Sequence, residues 1–127
     1  MKEFSILIED IIPPSVNTYW RSTCKKNYPI VYLSKKGKEF KAALKILIQK
    51  KMYKDNFSII EEKCEVTIKY YYKGKRHKDI DNILKVLLDS LNGVLIKDDS
   101  LITVLHVFKF PAKKNMLFLN VKKLSKK

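Results

Sequence analysis

Hydrophobic and polar residues alternate along four stretches of the chain, and such alternation is typical of β-strands that have one buried face. The clearest stretch is EKCEVTIKYYY, in which Cys64, Val66 and Ile68 share a face. The four predicted strands are residues 3–9, 62–72, 101–110 and 116–123. The last two, joined by the segment PAKKN, are predicted to form a terminal hairpin.

Two other segments repeat their hydrophobic residues at the period of an amphipathic helix. The first is residues 35–52, with Ser34 as its N-cap. Its hydrophobic stripe consists of Phe40, Ala43, Leu44, Leu47 and Ile48. The second begins at Ile80, and Gly93 suits the left-handed position that follows a helix. Its stripe consists of Ile80, Ile83, Leu84, Leu87, Leu88 and Leu91.

The segment between the first strand and the first helix is predicted to be mainly a loop. The proline pair at 13–14 ends any regular element, since proline lacks a backbone donor and restricts the residue before it. The stretch SVNTYWRSTCKKNYP then places Tyr19 and Trp20 between Asn17 and Arg21. Aromatic residues interleaved with cations can stack on nucleic-acid bases. The alternative, which we favour, is that both rings anchor the loop in the core. The piece IVYL that follows is predicted to be extended.

The length of 127 residues and a hydrophobic content of 46% indicate one domain, residues 1–127, with a single core. Four strands and two helices favour an α/β (α+β) fold, in which a mixed sheet of about four strands packs with two main helices. No run approaches the ~18 apolar residues of a membrane span, and the start MKEFSILIED lacks a secretory layout. We therefore expect an intracellular protein with no membrane partner and with reduced cysteines.

The formal net charge of +14 suggests a polyanionic partner, although a generally basic surface would give the same composition. All but two of the 27 basic residues are lysines, the exceptions being Arg21 and Arg76. Lysine contacts phosphate as a point charge, whereas arginine reads bases in a bidentate manner. The composition therefore favours recognition of the nucleic-acid backbone or shape over base readout.

Five of the seven aspartates lie between residues 79 and 99, directly after the basic run KGKRHK. Carboxylates held about 4 Å apart repel by roughly 4 kcal/mol at an effective dielectric near 20, so such a group stays ionised only when a cation joins it. Oxygen ligands of this kind suit Mg²⁺ or Mn²⁺. The pattern indicates a divalent ion held by aspartates inside a positive field that attracts a phosphate backbone.

Each aspartate motif also has a purely structural interpretation. Aspartates at 79 and 81 are typical helix caps, and the pair at 98–99 is typical of a polar turn before a strand. Asp81, Lys85 and Asp89 are spaced i, i+4, i+8 along one helix flank, where an ion pair contributes well under 1 kcal/mol. Asp89 lies about 12 Å along the helix axis from Asp81 and is too far away to share one ion with it.

Three segments together resemble the RusA family of Holliday-junction resolvases, small basic endonucleases that are common in phages and prophages. PPSVNTYWR is similar to the family's Pro-Pro-Ser-x-Asn segment, which an aromatic residue and an arginine follow. The basic run leading into DIDNILKVLLDSL is similar to its Asp-x-Asp-Asn, Lys and Asp-x-Leu pattern. The glycine that ends the helix, followed by DDS, is the third match. The resemblance extends from about residue 6 to residue 122.

The resemblance implies that Asp79, Asp81 and Asp99 bind the divalent metal ion and that Lys85 is the catalytically important lysine. Mg²⁺ is the expected ion, Mn²⁺ is an alternative, and no small-molecule cofactor is expected. The residues expected to contact DNA are Asn17, Arg21, Lys73, Lys75, Arg76 and Lys78. The resemblance also implies a RusA-like fold, a homodimer and a location in the cytoplasm of a bacterial or phage-infected cell.

The function expected from these residues is Mg²⁺-dependent endodeoxyribonuclease activity that resolves four-way DNA junctions in recombination and repair. One alternative is a nuclease that also cuts other branched DNA, such as flaps or forks. A second alternative, from a different class, is a non-catalytic basic DNA-binding module whose aspartates serve as caps and turns. Mg²⁺-dependent cleavage separates this module from both nucleases.

Overall fold

The computed structural model describes residues 3–10, 20–25, 28–33, 35–74 and 80–124, with residues 20–25, 28–33, 36 and 80–83 described by their backbone alone. These ranges contain six strands, two α-helices and one short 3₁₀ turn. The strands are β1 (Glu3–Glu9), β2 (Trp20–Lys25), β3 (Tyr28–Leu33), β4 (Cys64–Tyr72), β5 (Ile102–Pro111) and β6 (Met116–Lys123). The helices are α1 (Lys35–Lys54) and α2 (Ile80–Leu91), and the 3₁₀ turn is Asp99–Leu101.

Four of the strands form one mixed sheet in the order β1-β6-β4-β5. Strand β6 is antiparallel to both β1 and β4, whereas β4 and β5 are parallel. A parallel pair requires a crossover connection, and α2 supplies it between β4 and β5. The predicted fold, a small domain with a four-stranded mixed sheet and two helices, is confirmed.

The predicted terminal hairpin is wrong, because β4 lies between β5 and β6 in the sheet. Strands are about 4.8 Å apart, so PAKKN has to span only about 10 Å to step over one strand. It crosses the end of β4, where the Ala112 N–H donates to the Tyr72 carbonyl at 2.8 Å. Alternation of residues identified both strands correctly but carried no information about which neighbours they pair with.

The predicted loop before IVYL also requires correction, because part of it is a strand. β2 pairs antiparallel with β3, from Trp20 opposite Leu33 to Lys25 opposite Tyr28. The segment WRSTCK lacks the hydrophobic alternation that reveals a strand with one buried face, so the pattern missed it. The extended piece IVYL is confirmed as part of β3. Asn17 and Tyr19 lie outside the described residues, so the two interpretations of that loop remain predictions.

The core lies between one face of the four-stranded sheet and the two helices. α1 contributes Phe40, Leu44 and Ile48, while the predicted stripe members Ala43 and Leu47 are exposed, Leu47 at 38%. The three buried residues are spaced four apart, so α1 contacts the core along a narrower stripe than predicted.

In α2 the predicted stripe members Leu87 and Leu91 are buried, whereas Leu84 and Leu88 are only half-buried. Val86 and Ser90, which lie outside the predicted stripe, are fully buried, so the buried face is shifted from the predicted one. The side chains of Ile80 and Ile83 lie outside the described part of the chain.

No helix in the described ranges is both long enough and apolar enough to cross a membrane.

Replacing Leu119 by Ala is expected to lower the free energy of unfolding by about 2–5 kcal/mol, the usual cost of truncating a fully buried leucine. Leu119 is 0% exposed and lies in β6, between Ile6 of β1 and Ile68 of β4. Urea denaturation of both proteins measures the change. Leu7→Ala is the matched control, because Leu7 is 54% exposed on the opposite face of the same sheet. An equal loss in both variants would contradict the assignment of the core.

Candidate active site and nucleic-acid interface

Lys85 projects from the exposed side of α2. The two residues that follow it, Val86 and Leu87, are fully buried, whereas Lys85 itself is exposed. It forms no ion pair with any side chain in the described ranges. Buried packing on the opposite side fixes the helix, so the lysine is presented to solvent from a rigid support. Such an ammonium group is available to a phosphate.

α2 ends at a glycine, and a short connection then leads back to the sheet. Gly93 has φ of +77°, a conformation that glycine adopts without steric cost, which confirms its predicted place after the helix. The next residues are held firmly, because Leu95 and Ile96 are fully buried. The Ile60 N–H donates to the Leu95 carbonyl at 2.8 Å, and the Lys97 N–H donates to the Ile60 carbonyl at 2.9 Å. This connection is therefore anchored on both sides before the aspartate pair begins.

The aspartate pair divides into a capping residue and an exposed residue. Asp98 is the N-cap of the 3₁₀ turn, and its Oδ1 accepts a hydrogen bond from the Ser100 N–H at 3.4 Å. Asp99 occupies the first position of the turn and is exposed. Asp98 therefore has a structural explanation, while Asp99 presents its carboxylate from a turn that Asp98 shapes.

The buried thiol of Cys64 fastens the end of this turn to the sheet. Its Sγ donates to the Leu101 carbonyl at 3.8 Å, and the residue is fully buried at the start of β4. Burial raises the pKa of the thiol, with a further contribution from the charge of Glu62, so the sulfur stays protonated and able to donate. The predicted placement of Cys64 with Val66 and Ile68 on the buried face of its strand is confirmed.

The carboxyl group of Asp98 is expected to titrate below the usual aspartate range. The backbone N–H of Ser100, followed by the Ser100 side chain, lowers the pKa of Asp98, because these hydrogen bonds stabilise the ionised form. Because the pKa of Asp98 is lower in the folded protein than in the unfolded chain, the ionised carboxylate stabilises the turn at pH values above the pKa of the unfolded chain. This contribution is lost as the pH falls through the lower pKa of the folded protein. An NMR titration of the Ser100 amide below about pH 4 measures it. Titration of that amide in the range of an ordinary aspartate would contradict the cap.

The basic segment begins at a defined position beside the sheet. The Lys73 N–H donates to Asn115 Oδ1 at 3.0 Å, and the Lys73 side chain is exposed. This contact ties the first cation of KGKRHK to the connection between β5 and β6. Lys75, Arg76 and Lys78 lie outside the described residues, and Arg21 is described only by its place in β2.

Two of the four predicted catalytic side chains fall in the described part of the chain, Lys85 and Asp99. Asp79 lies outside it, and the structure places Asp81 in α2 by its backbone alone. The 3₁₀ turn that carries Asp99 packs against α2, the helix that carries Asp81 and Lys85. Among side chains that the structure describes, no group of three or more His, Cys, Asp or Glu could hold an ion. A site built from three aspartates therefore remains a prediction.

Comparison with known proteins decides the family. Residues 10–122 match the sequence profile of the family described as Endodeoxyribonuclease RusA. A crossover junction endodeoxyribonuclease rusA of Enterobacteria phage HK97 is 32% identical over 91 residues, which cover 72% of this chain and 68% of the phage protein.

The chain belongs to the RusA family. It is therefore a nuclease, and the module without catalytic activity is the weaker alternative. The match spans Asp79, Asp81, Lys85 and Asp99, so all four predicted catalytic residues lie in the region that the family shares.

In this RusA-family nuclease the carboxylate of Asp99 is an oxygen ligand of the kind that hard divalent cations prefer, while a metal site shared with Asp79 and Asp81 remains a prediction. The structure shows that Asp99 is exposed on an anchored turn, where its carboxylate can be reached from solvent. Asp89 is half-buried and lies one turn beyond Lys85.

Sequence reasoning missed one set of residues that this RusA-family fold brings together. Lys69, Phe108, Phe110 and Phe118 meet on the face of the sheet that faces away from the helices. The alternation along β4, β5 and β6 places them on a common side of each strand, but it does not say which side the helices cover. Only the ladder register reveals that these side chains are neighbours.

Proposed function

We propose that this RusA-family nuclease is a Mg²⁺-dependent endonuclease that resolves four-way DNA junctions by paired phosphodiester hydrolysis in recombination and repair. Its membership of a family named for endodeoxyribonuclease activity is the observation that carries the proposal. The matched phage protein is named as a crossover junction endonuclease, which supports a branched DNA substrate.

In this proposal Asp79, Asp81 and Asp99 hold the metal ion, and Mn²⁺ is the alternative ion. When bound, a divalent ion polarises the scissile phosphate and lowers the pKa of a coordinated water. Lys85 donates to a non-bridging phosphate oxygen and offsets the charge that develops as water attacks phosphorus. The expected contacts to flanking phosphates come from Asn17, Arg21, Lys73, Lys75, Arg76 and Lys78.

A homodimer would match the symmetry of the substrate. A four-way junction offers two equivalent strands, and a two-fold dimer places one active site on each of them. Paired cuts then release two duplexes. The dimer rests on the family resemblance, and light scattering of the purified protein tests it directly.

Incubation with a synthetic four-way junction is expected to yield paired nicks in Mg²⁺ and no product in EDTA. A linear duplex of the same sequence is the control for structure specificity, and flaps and forks tested at equal salt identify a broader nuclease. Binding measured without divalent ions should weaken with salt, with a log–log slope of about −0.9 for each phosphate contacted on duplex arms. Binding with no cleavage of any branched substrate in Mg²⁺ or Mn²⁺ would contradict the proposal.

A further inference from the structure

The face of the four-stranded sheet opposite the helices carries a cluster of aromatic rings, which we call the aromatic platform. It consists of Tyr71, Phe108, Phe110 and Phe118, with Lys69 at its centre. The register explains the cluster, because Lys69 of β4 lies between Phe108 of β5 and Phe118 of β6. Residues opposite each other on paired strands share a face, so the three side chains form one row across the sheet.

The rings of the platform are ordered with respect to one another. Phe108 and Phe110 are nearly parallel, with an interplanar angle of 7° and centroids 5.9 Å apart. Tyr71 stacks on Phe110 at 5.4 Å. The Lys69 ammonium lies 6.0 Å from the Phe108 centroid and 5.6 Å from the Phe118 centroid. This arrangement holds a cation among ring faces instead of extending it into water.

The platform is open to solvent although its residues are hydrophobic. Phe108 is 41% exposed and Phe110 is 39% exposed. The corresponding positions on the opposite face, such as Ile68 and Leu119, are fully buried beneath the helices. Clustered rings left exposed on a sheet face indicate a binding surface rather than a second core.

The charges around the platform favour a polyanion. The three carboxylates on this face each have a polar partner: Glu9 pairs with Lys114 at 3.1 Å, Glu65 with His106 at 2.6 Å, and Glu3 accepts from Asn120 at 2.8 Å. At the Tyr71 end, the sheet meets two exposed cations, Lys73 and Lys113. Lys73 is also the first residue of the basic segment that is expected to contact phosphates.

A second copy of the chain suits this face less well. Two copies packed through it would bury both Lys69 ammonium groups, while the carboxylates of the face already have partners. Burying a charge without a partner is costly. Bases of a single strand, by contrast, can stack on the rings while their phosphates lie near the cations.

We propose that the aromatic platform binds unpaired bases of DNA by stacking, with Lys69 and Lys73 placed near the connecting phosphates. The inference rests on the proposed function, in that DNA is the partner, and it adds a specific feature of the substrate. Branched DNA exposes unstacked bases where its arms separate, and the platform would hold such bases beside the basic segment.

The test measures binding of a fluorescent dT oligonucleotide in buffer without divalent ions. The double variant Phe108→Ala with Phe110→Ala is expected to bind roughly tenfold more weakly for each ring removed, from the usual strength of base–aromatic stacking. Phe108→Trp is expected to retain binding, because it keeps a ring. Tyr53→Ala is the matched control, since Tyr53 is a 90% exposed aromatic residue on α1 and should not alter binding.

Lys69→Gln provides a variant that keeps both rings. It is expected to reduce the magnitude of the salt slope by about 0.7, the value for one phosphate contact on a single strand. Circular dichroism confirms that each variant is folded at the assay temperature. Unchanged affinity of the folded double variant for the oligonucleotide would overturn the inference.

Light scattering tests whether a second copy of the chain occupies the platform instead of DNA. If the parent protein is a dimer and the double variant is a monomer, the platform is a subunit interface and the inference is wrong. Because the assay requires no cleavage, the two proposals fail separately. A chain that binds the oligonucleotide through its rings but cuts no branched DNA would contradict the proposed function alone. A chain that cuts junctions while its double variant binds normally would contradict the platform alone.

Discussion

Asp99→Asn is expected to lower the rate of junction cleavage by about a thousandfold or more while leaving junction binding intact. Removal of a carboxylate from the predicted metal site forfeits several kcal/mol of charge stabilisation in the transition state, and each 1.36 kcal/mol is tenfold in rate. The amide is close to the carboxylate in size, so the 3₁₀ turn should keep its shape. Single-turnover cleavage in Mg²⁺ and a binding assay in EDTA measure the two effects. Asp79→Asn is expected to behave in the same way.

The neighbouring aspartate is the matched control for this experiment. Asn caps helix starts as well as Asp does, so Asp98→Asn keeps the hydrogen bond to the Ser100 N–H while it removes the same charge from the adjacent position. We expect it to retain most of the cleavage rate. Equal losses in both variants would show that net charge in the turn matters, rather than ligation by Asp99. Undiminished cleavage by Asp99→Asn would refute the proposed site.

Lys85→Met is expected to lower the cleavage rate by about 10²–10³-fold, the usual cost of removing one donor that stabilises developing charge. Methionine keeps the unbranched stem and a good helix propensity, so α2 should remain folded around Val86 and Leu87. Junction affinity should change much less than the rate, because one exposed cation among many contributes little to binding. Single-turnover rates at saturating enzyme isolate the chemical step.

Lys54→Met is the control for the loss of a positive charge, since Lys54 is an exposed lysine at the end of α1. Partial rescue by Lys85→Arg would indicate that a cation at this position stabilises charge. A fall in affinity that fully accounts for the slower cleavage would instead assign Lys85 to binding. Wild-type cleavage by Lys85→Met would remove the residue from the mechanism.

The sequence was most informative where one local pattern determines one element. The spacing of hydrophobic residues identified α2 with its start at Ile80, and Gly93 marked its end because the position requires positive φ. The alternating residues of β1, β4 and β6 likewise identified strands whose inner residues are buried. In these three strands burial and local periodicity agree.

The partners of each strand in the sheet and the width of the buried face of a helix could not be predicted in the same way. The choice of β4 rather than β6 as the partner of β5 depends on the α2 crossover and on a connection that steps over β4, and both are properties of the assembled sheet. Ala43 and Leu47 satisfied the helical period but are exposed, because the width of the buried stripe depends on how closely α1 approaches the sheet. The spacing of hydrophobic residues alone does not predict the distance between α1 and the sheet.

The candidate site shows the same division. Residue type and spacing predicted the polar turn at 98–99 and placed Lys85 on a helix, whereas the roles of Lys85 and Asp99 come from the family pattern and remain predictions. The separate roles of Asp98 and Asp99 required the hydrogen bond from Ser100, which no sequence pattern specifies. The aromatic platform required the register of three strands. Candidate residues could thus be predicted within single segments, whereas the contacts between residues of different segments depend on the packed structure.

The position of β6 between β1 and β4 has a consequence for the order in which the protein can fold. On the ribosome, β1 emerges first, yet it has no neighbour in the four-stranded sheet until residues 116–123 have been synthesised. Pairing between such distant segments is entropically slow. The nuclease is therefore expected to gain its complete sheet in one late step, after the helix bearing Lys85 and the turn bearing Asp99 have already left the exit tunnel.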